Sequence, residues 1–261
     1  ITPRTADSAR HISEIGYEPR FGQDFIDVDG KGFVASEASG VSANLSWEIN
    51  ENYAFRSITA YREFEENSET DVDSTPFGTT SPGTDTFLQY FMVGEKNRPT
   101  YREFDYVNQE FRLEMNFDAA TAIVGMFYND FSEETTVSTP FAIPAFGIIQ
   151  AGGFIDGGDD NTTWAIFGDA TFDLNENWSV FGGLRYTSAE KTPVDKRGLV
   201  ANGQTSETFD NLSPTLGMQY FVDPNLQLYA SASQGFKSGG FNTIVLIPRD
   251  DFLPFKPEEI T

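Results

Sequence analysis

Cysteine is absent from the 261 residues, which excludes disulfides and thiolate metal sites. His11 is the single histidine; in a stretch without periodicity it reads as a solvated side chain. No run of about eighteen apolar residues exists, so no transmembrane helix is encoded. That leaves a membrane barrel open, because a barrel strand needs only about ten residues with every second one apolar. Basic residues are scarce: 17 Lys and Arg stand against 40 Asp and Glu, for a net charge of −23. Phosphate backbones are held by Lys and Arg, so nucleic acid is not expected as a partner. Neither G-x-S-x-G nor GxxxxGK[ST] occurs. Carboxylates abound, but on a chain that is 22% charged a pair of them reads as solvated surface, and spacing within β-loops does not locate an acid/base dyad. The expectation is a protein that is not an enzyme and holds no resident cofactor. Ile1 is followed by no charged-then-apolar segment, which predicts a mature or trimmed chain.

What is present is aromatic and periodic. Aromatics make up 15% of the chain, with 25 Phe. In residues 210–221 Leu212, Pro214, Leu216, Met218 and Tyr220 alternate with Ser213, Thr215, Gly217 and Gln219. After the turn Val222-Asp223-Pro224-Asn225, Leu226, Leu228, Ala230 and Ala232 alternate with Gln227, Tyr229, Ser231 and Ser233. A period of two is the strand signature, so this is a β-hairpin with one apolar face and one small, polar face. The alternation recurs at 40–49, at 53–64 less cleanly, and at 105–117, 121–131, 162–173 and 178–190. In 105–117 Val107, Phe111, Leu113, Met115 and Phe117 oppose Asn108, Glu110, Arg112, Glu114 and Asn116. A wholly polar second face suits hydration better than a dry core, since buried unpaired charge is costly.

Eight strands result, an all-β antiparallel meander. Tight connections fall at 50–52, 118–120, 174–177 and 222–225. Long ones fall at 65–104, 132–161 and 191–209. Pro76, Pro82 and Pro99 argue against a strand through the first long connection. The apolar piece FAIPAFGIIQAGGF (141–154) reads as neither helix nor regular strand: a loop folded on itself, or a hydrophobic contact for a ligand. Residues 1–39 read as a loop, 40–236 as the eight strands, and 237–261 as a loop leading to a further strand. Strict alternation of short and long connections, with Trp47, Tyr53, Phe117, Phe172, Trp178, Tyr220 and Phe221 at the tight end, matches the short turns, long loops and aromatic girdles of outer-membrane barrels.

The run SPTLGMQYFVDPNLQLYASASQGFKSGGFN (213–242) resembles the mid-barrel hairpin of TonB-dependent outer-membrane receptors, in which S-P-x-x-G-x-x-Y, a short turn, L-Y-A-S and F-K-S-G-G-F-N follow in that order. FKPEEIT (255–261) is similar to the lead-in to that family's next strand. Weaker echoes are SITAYREFE (57–65), NQEFRLEMNF (108–117) and WAIFGDATFDLNENWSVFGGLRYTSAEK (164–191). The resemblance implies an antiparallel transmembrane β-barrel segment in the cell outer membrane, about eight strands of a barrel of 22. It also implies outer-membrane lipid as one partner, TonB as another through a plug domain not found in this sequence, and a scarce nutrient such as a ferric siderophore or other chelate as ligand. It predicts an open, curved sheet; hydrogen bonds between 40–49 and 226–236 would instead close an eight-stranded barrel. Two other readings are a small passive or adhesive eight-stranded barrel, and a soluble β-rich glycan-binding protein.

Candidate ligand-facing residues are Phe87, Tyr90, Arg98, Tyr101, Arg112 and Arg185: aromatics to stack on flat ligands, arginines to meet carboxylates. For each the plainer role is loop packing or lumen hydration. Asp27-Val28-Asp29-Gly30-Lys31-Gly32 matches the start of a calcium loop, with Asp27 and Asp29 as candidate metal ligands. Lys31 at the fifth position and Ala38 at the twelfth supply none, and an Asp-Gly turn is the plainer reading.

Overall fold

The computed structural model describes residues 32–71, 97–138, 141–143, 148–150, 153–202, 205–243 and 250–260. Eight strands form one antiparallel sheet: β1 (Phe33–Glu48), β2 (Tyr53–Asp71), β3 (Asn97–Phe117), β4 (Ala120–Ser138), β7 (Gly153–Asp173), β8 (Trp178–Asp195), β9 (Glu207–Asp223) and β10 (Leu226–Ser233), in that spatial order. Between β4 and β7, β5 (Phe141–Ile143) pairs with β6 (Ile148–Gln150). After β10, β11 (Gly235–Lys237) pairs with β14 (Glu258–Ile260), and β12 (Gly240–Phe241) pairs with β13 (Pro254–Phe255). Among the described residues β1 and β10 stand at opposite edges and do not pair, so the sheet is open. By contact the chain divides into two compact units, residues 1–35, 67–100 and 137–154, and residues 36–66, 101–136 and 155–261.

The tight turns are built by a repeated device. Asn50-Glu51-Asn52-Tyr53 and Asn175-Glu176-Asn177-Trp178 differ only in the last aromatic. In the first, Asn50 Oδ1 accepts the Asn52 and Tyr53 amides at 2.9 and 3.0 Å. In the second, Asn175 Oδ1 accepts those of Asn177 and Trp178 at 2.9 and 3.0 Å. This is the self-capping that makes Asn a turn former. The third residue ties the turn to the next strand: Asn52 Nδ2 donates to Asn116 O at 2.6 Å and Asn177 Nδ2 to Phe221 O at 2.8 Å. Two otherwise separate hairpins thus lock to their neighbours in the same register.

Strands outrun the alternation. The expected loop 65–104 gives up residues through Asp71 to β2 and from Asn97 to β3. Likewise β4 extends to Ser138, β7 begins at Gly153, β8 ends at Asp195, and β1 starts at Phe33, inside the expected loop 1–39. Pro99 lies within β3, against expectation, and Pro193 and Pro214 lie within β8 and β9. Proline's fixed φ is compatible with a strand, and only one ladder donor is lost. The 141–154 piece, expected to be irregular, forms the small β5–β6 hairpin with Ala142 opposite Ile149. The segment after 236 is also not a plain loop, because Glu258–Ile260 return antiparallel to Gly235–Lys237.

Candidate functional site: the polar face of the sheet

The two faces are inverted relative to a soluble sheet. On β9, Leu216 is 69% exposed while its neighbours Thr215 and Gly217 are half-buried. Leu228 (56%), Ile166 (51%) and Leu184 (49%) are exposed likewise, yet Ser179 and Asn211, on the other face, are buried. Leu113 and Val180 are half-buried. Among the described residues no second layer covers the apolar side chains. The apolar face carries two aromatic belts. At the tight-turn end Tyr53 meets Phe117 edge-on at 5.8 Å, and Trp178 meets Tyr220 at 4.6 Å. Farther along, Trp164 meets Tyr186 at 5.4 Å. Tyr53 and Tyr61, Phe172 and Trp164, and Trp178 and Tyr186 are each eight residues apart. That is roughly 26 Å of strand, which a tilted strand lays across most of a roughly 25 Å apolar band.

The polar face carries ion pairs. Arg56, on β2, reaches Glu114 on β3 at 3.2 Å and Glu48 on β1 at 3.1 Å, and donates to Ser46. Arg56 and Arg62 share this face with Ala54, Ile58 and Ala60, which is why β2 alternates poorly in sequence. Arg112 pairs with Glu110, two residues along the same face.

Arg185 is held differently. Its guanidinium carbon lies 5.3 Å from the Phe127 ring centroid and 5.5 Å from that of Phe167, its register partner on β7. Both distances are within cation–π range. Its Nε donates to Thr187 Oγ1 at 3.1 Å.

Toward the long connections lies a second polar cluster. Arg102 Nε is 3.3 Å from Glu133 Oε1, and Lys196 pairs with Glu134. Asp159 is pushed up to about 6, first by burial and then by Glu133 and Asp160, with Lys191 pulling the other way. Burial lowers Lys191, and Asp159 opposes that shift. Asn161, opposite Lys191 in register, buries its Oδ1 without a hydrogen-bond partner among the described residues. At the end of β8 the Asp195 carboxylate caps the following turn, accepting from the amides of Leu199 at 2.5 Å, Val200 at 3.0 Å and Arg197 at 3.3 Å.

Of the residues singled out from sequence, Arg112 and Arg185 share the polar face. Tyr101 falls, by strand alternation, on the other face with Val107 and Phe111, and donates to Glu103 at 3.0 Å. Arg98 lies in β3. Asp27, Asp29, Phe87 and Tyr90 lie outside the described residues. Sequence reasoning missed Asp159, Asn161 and Lys191, because all three sat in or beside expected loops.

A meander with an apolar exposed face, a charged opposite face and paired aromatic belts is the wall of an up-and-down barrel. The family model described as TonB dependent receptor-like, beta-barrel matches residues 3–261; the chain belongs to that family. Among solved structures it is similar to the ferric yersiniabactin uptake receptor FyuA from Yersinia pestis, with TM-score 0.59 and 17% identity over 87% of this chain and 32% of that one. It is also similar to the siderophore receptor PiuA from Acinetobacter baumannii, with TM-score 0.56 and 13% identity over 82% and 34%. The copper transporter OprC matches with TM-score 0.58 and 13% identity over 78% and 30%. The chain spans about a third of the length of these structures, and at such identity the likeness is one of fold.

Proposed function

We propose that the chain forms part of the barrel wall of an outer-membrane receptor that takes up a scarce nutrient, a ferric siderophore or similar chelate, with energy delivered by TonB through a plug domain. The inverted sheet carries this reading. Exposed Leu216, Leu228 and Ile166 require lipid, and the ion pairs of Arg56, Arg112 and Arg102 on the opposite side suit a wet lumen. The family assignment and the uptake receptors among the similar structures support the transport role and the chelate class. The tight-turn end then faces the periplasm and the cluster around Asp159 faces outward. Arg98, Arg112, Arg185, Phe87 and Tyr90 remain candidates for contact with the ligand, Tyr101 only for a ligand that reaches the outward face, and Asp27 and Asp29 for a cation. The protein acts as a transporter rather than an enzyme.

The test is uptake of iron-55 carried by a panel of siderophores in cells with and without the gene. Uptake of at least one chelate is expected to vanish on deletion, to return with the gene, and to stay absent when TonB is removed. Unchanged uptake of every chelate, or a difference that persists without TonB, overturns the proposal.

A further inference from the structure

The apolar face is neither smooth nor uncharged. A groove of about 720 Å³ crosses its middle. Gly168 on β7, with no side chain, lies in its floor, beside Val124 on β4 and opposite Leu184 on β8. Phe111, Met126 and Ile166 line it, and Trp164 and Tyr186 stand at its long-connection end. Gly168 is four residues from Trp164 of one aromatic belt and four from Phe172 of the other, which puts the groove floor at mid-depth.

On the same face, just past the Trp164–Tyr186 belt, runs a band of carboxylates. Tyr61 donates to Glu63, and Tyr128 and Thr162 both donate to Asp130 Oδ2 at 3.1 Å. Ser132 donates to Asp160 at 2.7 Å. Asp105 is pushed up, first by burial and then by Glu63 and Asp130, so carboxylates of three strands feel one another. By alternation, no Lys or Arg of β2, β3, β4, β7, β8 or β9 falls on this face. Asp130 is six residues along β4 from Val124. That is roughly 20 Å of strand, which at a tilt of about 40° rises about 15 Å, half of a roughly 30 Å hydrocarbon core. With the groove floor at mid-depth, Asp130 stands at the headgroups.

Within a bilayer an apolar groove alone selects little, because lipid tails are as apolar as Leu. Selection has to come from the headgroup, and the charge here has one sign. A headgroup carrying only phosphate is repelled, whereas an ammonium group is attracted. The same charge disfavours a second copy of the chain, since a two-fold axis would set this carboxylate band against itself.

We propose that this face holds one membrane lipid with an ammonium headgroup, its acyl tail in the groove over Gly168 and its ammonium at the carboxylates around Asp130. The proposal rests on lipid covering the apolar face, as the barrel-wall reading requires, and does not depend on transport.

The test uses the receptor as the cell makes it, purified in detergent and mixed with equal amounts of phosphatidylethanolamine and phosphatidylglycerol carrying the same tails. Native mass spectrometry counts the adducts. The ethanolamine lipid is expected to exceed the glycerol lipid roughly two- to fivefold, the factor that one exposed ion pair gives. A Cβ at Gly168 meets nothing closer than 3.4 Å, so Gly168→Leu fills the groove without disturbing the strand and is expected to lower the ethanolamine adduct severalfold. Asp130→Asn is expected to keep tail binding and bring the two lipids toward equality. Equal adducts on the parent, adducts unchanged in Gly168→Leu, a preference unchanged in Asp130→Asn, or a particle of doubled mass that sheds its lipid overturns the proposal. Iron uptake in cells is a separate readout: its failure with the lipid preference intact removes only the transport reading, and the reverse removes only this one.

Discussion

The ring of Phe181 lies over Gly217, its register partner across β8 and β9, and occupies the space a Cβ would take. Gly182, one residue away on the opposite face, meets nothing closer than 3.5 Å at its own Cβ position. The two glycines are therefore predicted to differ. Gly217→Ala forces the ring off its seat and costs roughly 1–3 kcal/mol by overpacking, whereas Gly182→Ala stays near neutral. Urea unfolding of the receptor reconstituted in lipid vesicles reads the difference; equal midpoints for both variants would refute the ring-on-glycine account.

The face assignment makes a second prediction. Leu216, on the apolar face opposite Gly182 and Ala232, is replaced by Arg, and so is its polar-face neighbour Thr215. In lipid, Leu216→Arg is expected to cost about 2–4 kcal/mol at mid-depth, while Thr215→Arg costs well under half of that because its side chain reaches water. The same vesicle unfolding assay applies. If the two variants tolerate Arg equally, lipid does not cover Leu216.

Much of this architecture is legible in the sequence for a physical reason. Where lipid wets one face and water the other, residues must alternate, so the faces of Leu216, Leu184 and Arg185 follow from parity alone. The turns at Asn50 and Asn175 are readable because Asn caps itself. Toward the long connections the alternation lapses, yet the backbone keeps pairing. That is why β2 running to Asp71, β3 through Pro99 and β7 from Gly153 were out of reach. The setting of Arg185 was half legible: its face follows from spacing, but Phe127 and Phe167 come near it only through the pairing of neighbouring strands. The orphaned Asn161 oxygen and the raised Asp159 depend on burial, which no alternation reports once both sides are polar.

Asp159 supplies a pH prediction. Its folded-state value, about 6, lies above the ordinary 3.8, because burial and the neighbouring Glu133 and Asp160 disfavour the charge more than Lys191 favours it. A raised value means the group's contribution is full below about 3.8 and is lost as pH rises through about 6. The long-connection ends of β4, β7 and β8 are therefore expected to open more readily at pH 7.5 than at pH 5. Asp159→Asn, which keeps the neutral shape, is expected to flatten that dependence. Hydrogen exchange of the strand ends at the two pH values checks it, and an Asn variant with the parental pH dependence would remove Asp159 as the cause.

A single carboxylate, that of Asp195, caps the turn after β8. It holds the amides of Leu199 and Val200 and lies 3.5 Å from Arg197 Nε. This places Val200 in a small core with Phe241 and Phe252, packed against Leu199. The same turn is tied across by Asn202, whose amide donates to Asp250 O at 3.0 Å and whose Nδ2 donates to Asp251 Oδ1 at 2.8 Å. Without the carboxylate, two part-buried amides lose their acceptor, a loss of roughly 1–3 kcal/mol. The apolar trio is too small to hold the turn alone. Asp195→Ala is thus expected to speed exchange at residues 196–202 and, through the shared core, at 241–243 and 250–253, while β8 below Ser188 keeps its protection. Asp195→Asn, which retains one carbonyl acceptor, is expected to fall between. If exchange quickens only at 196–202, the two connections are not coupled by this core.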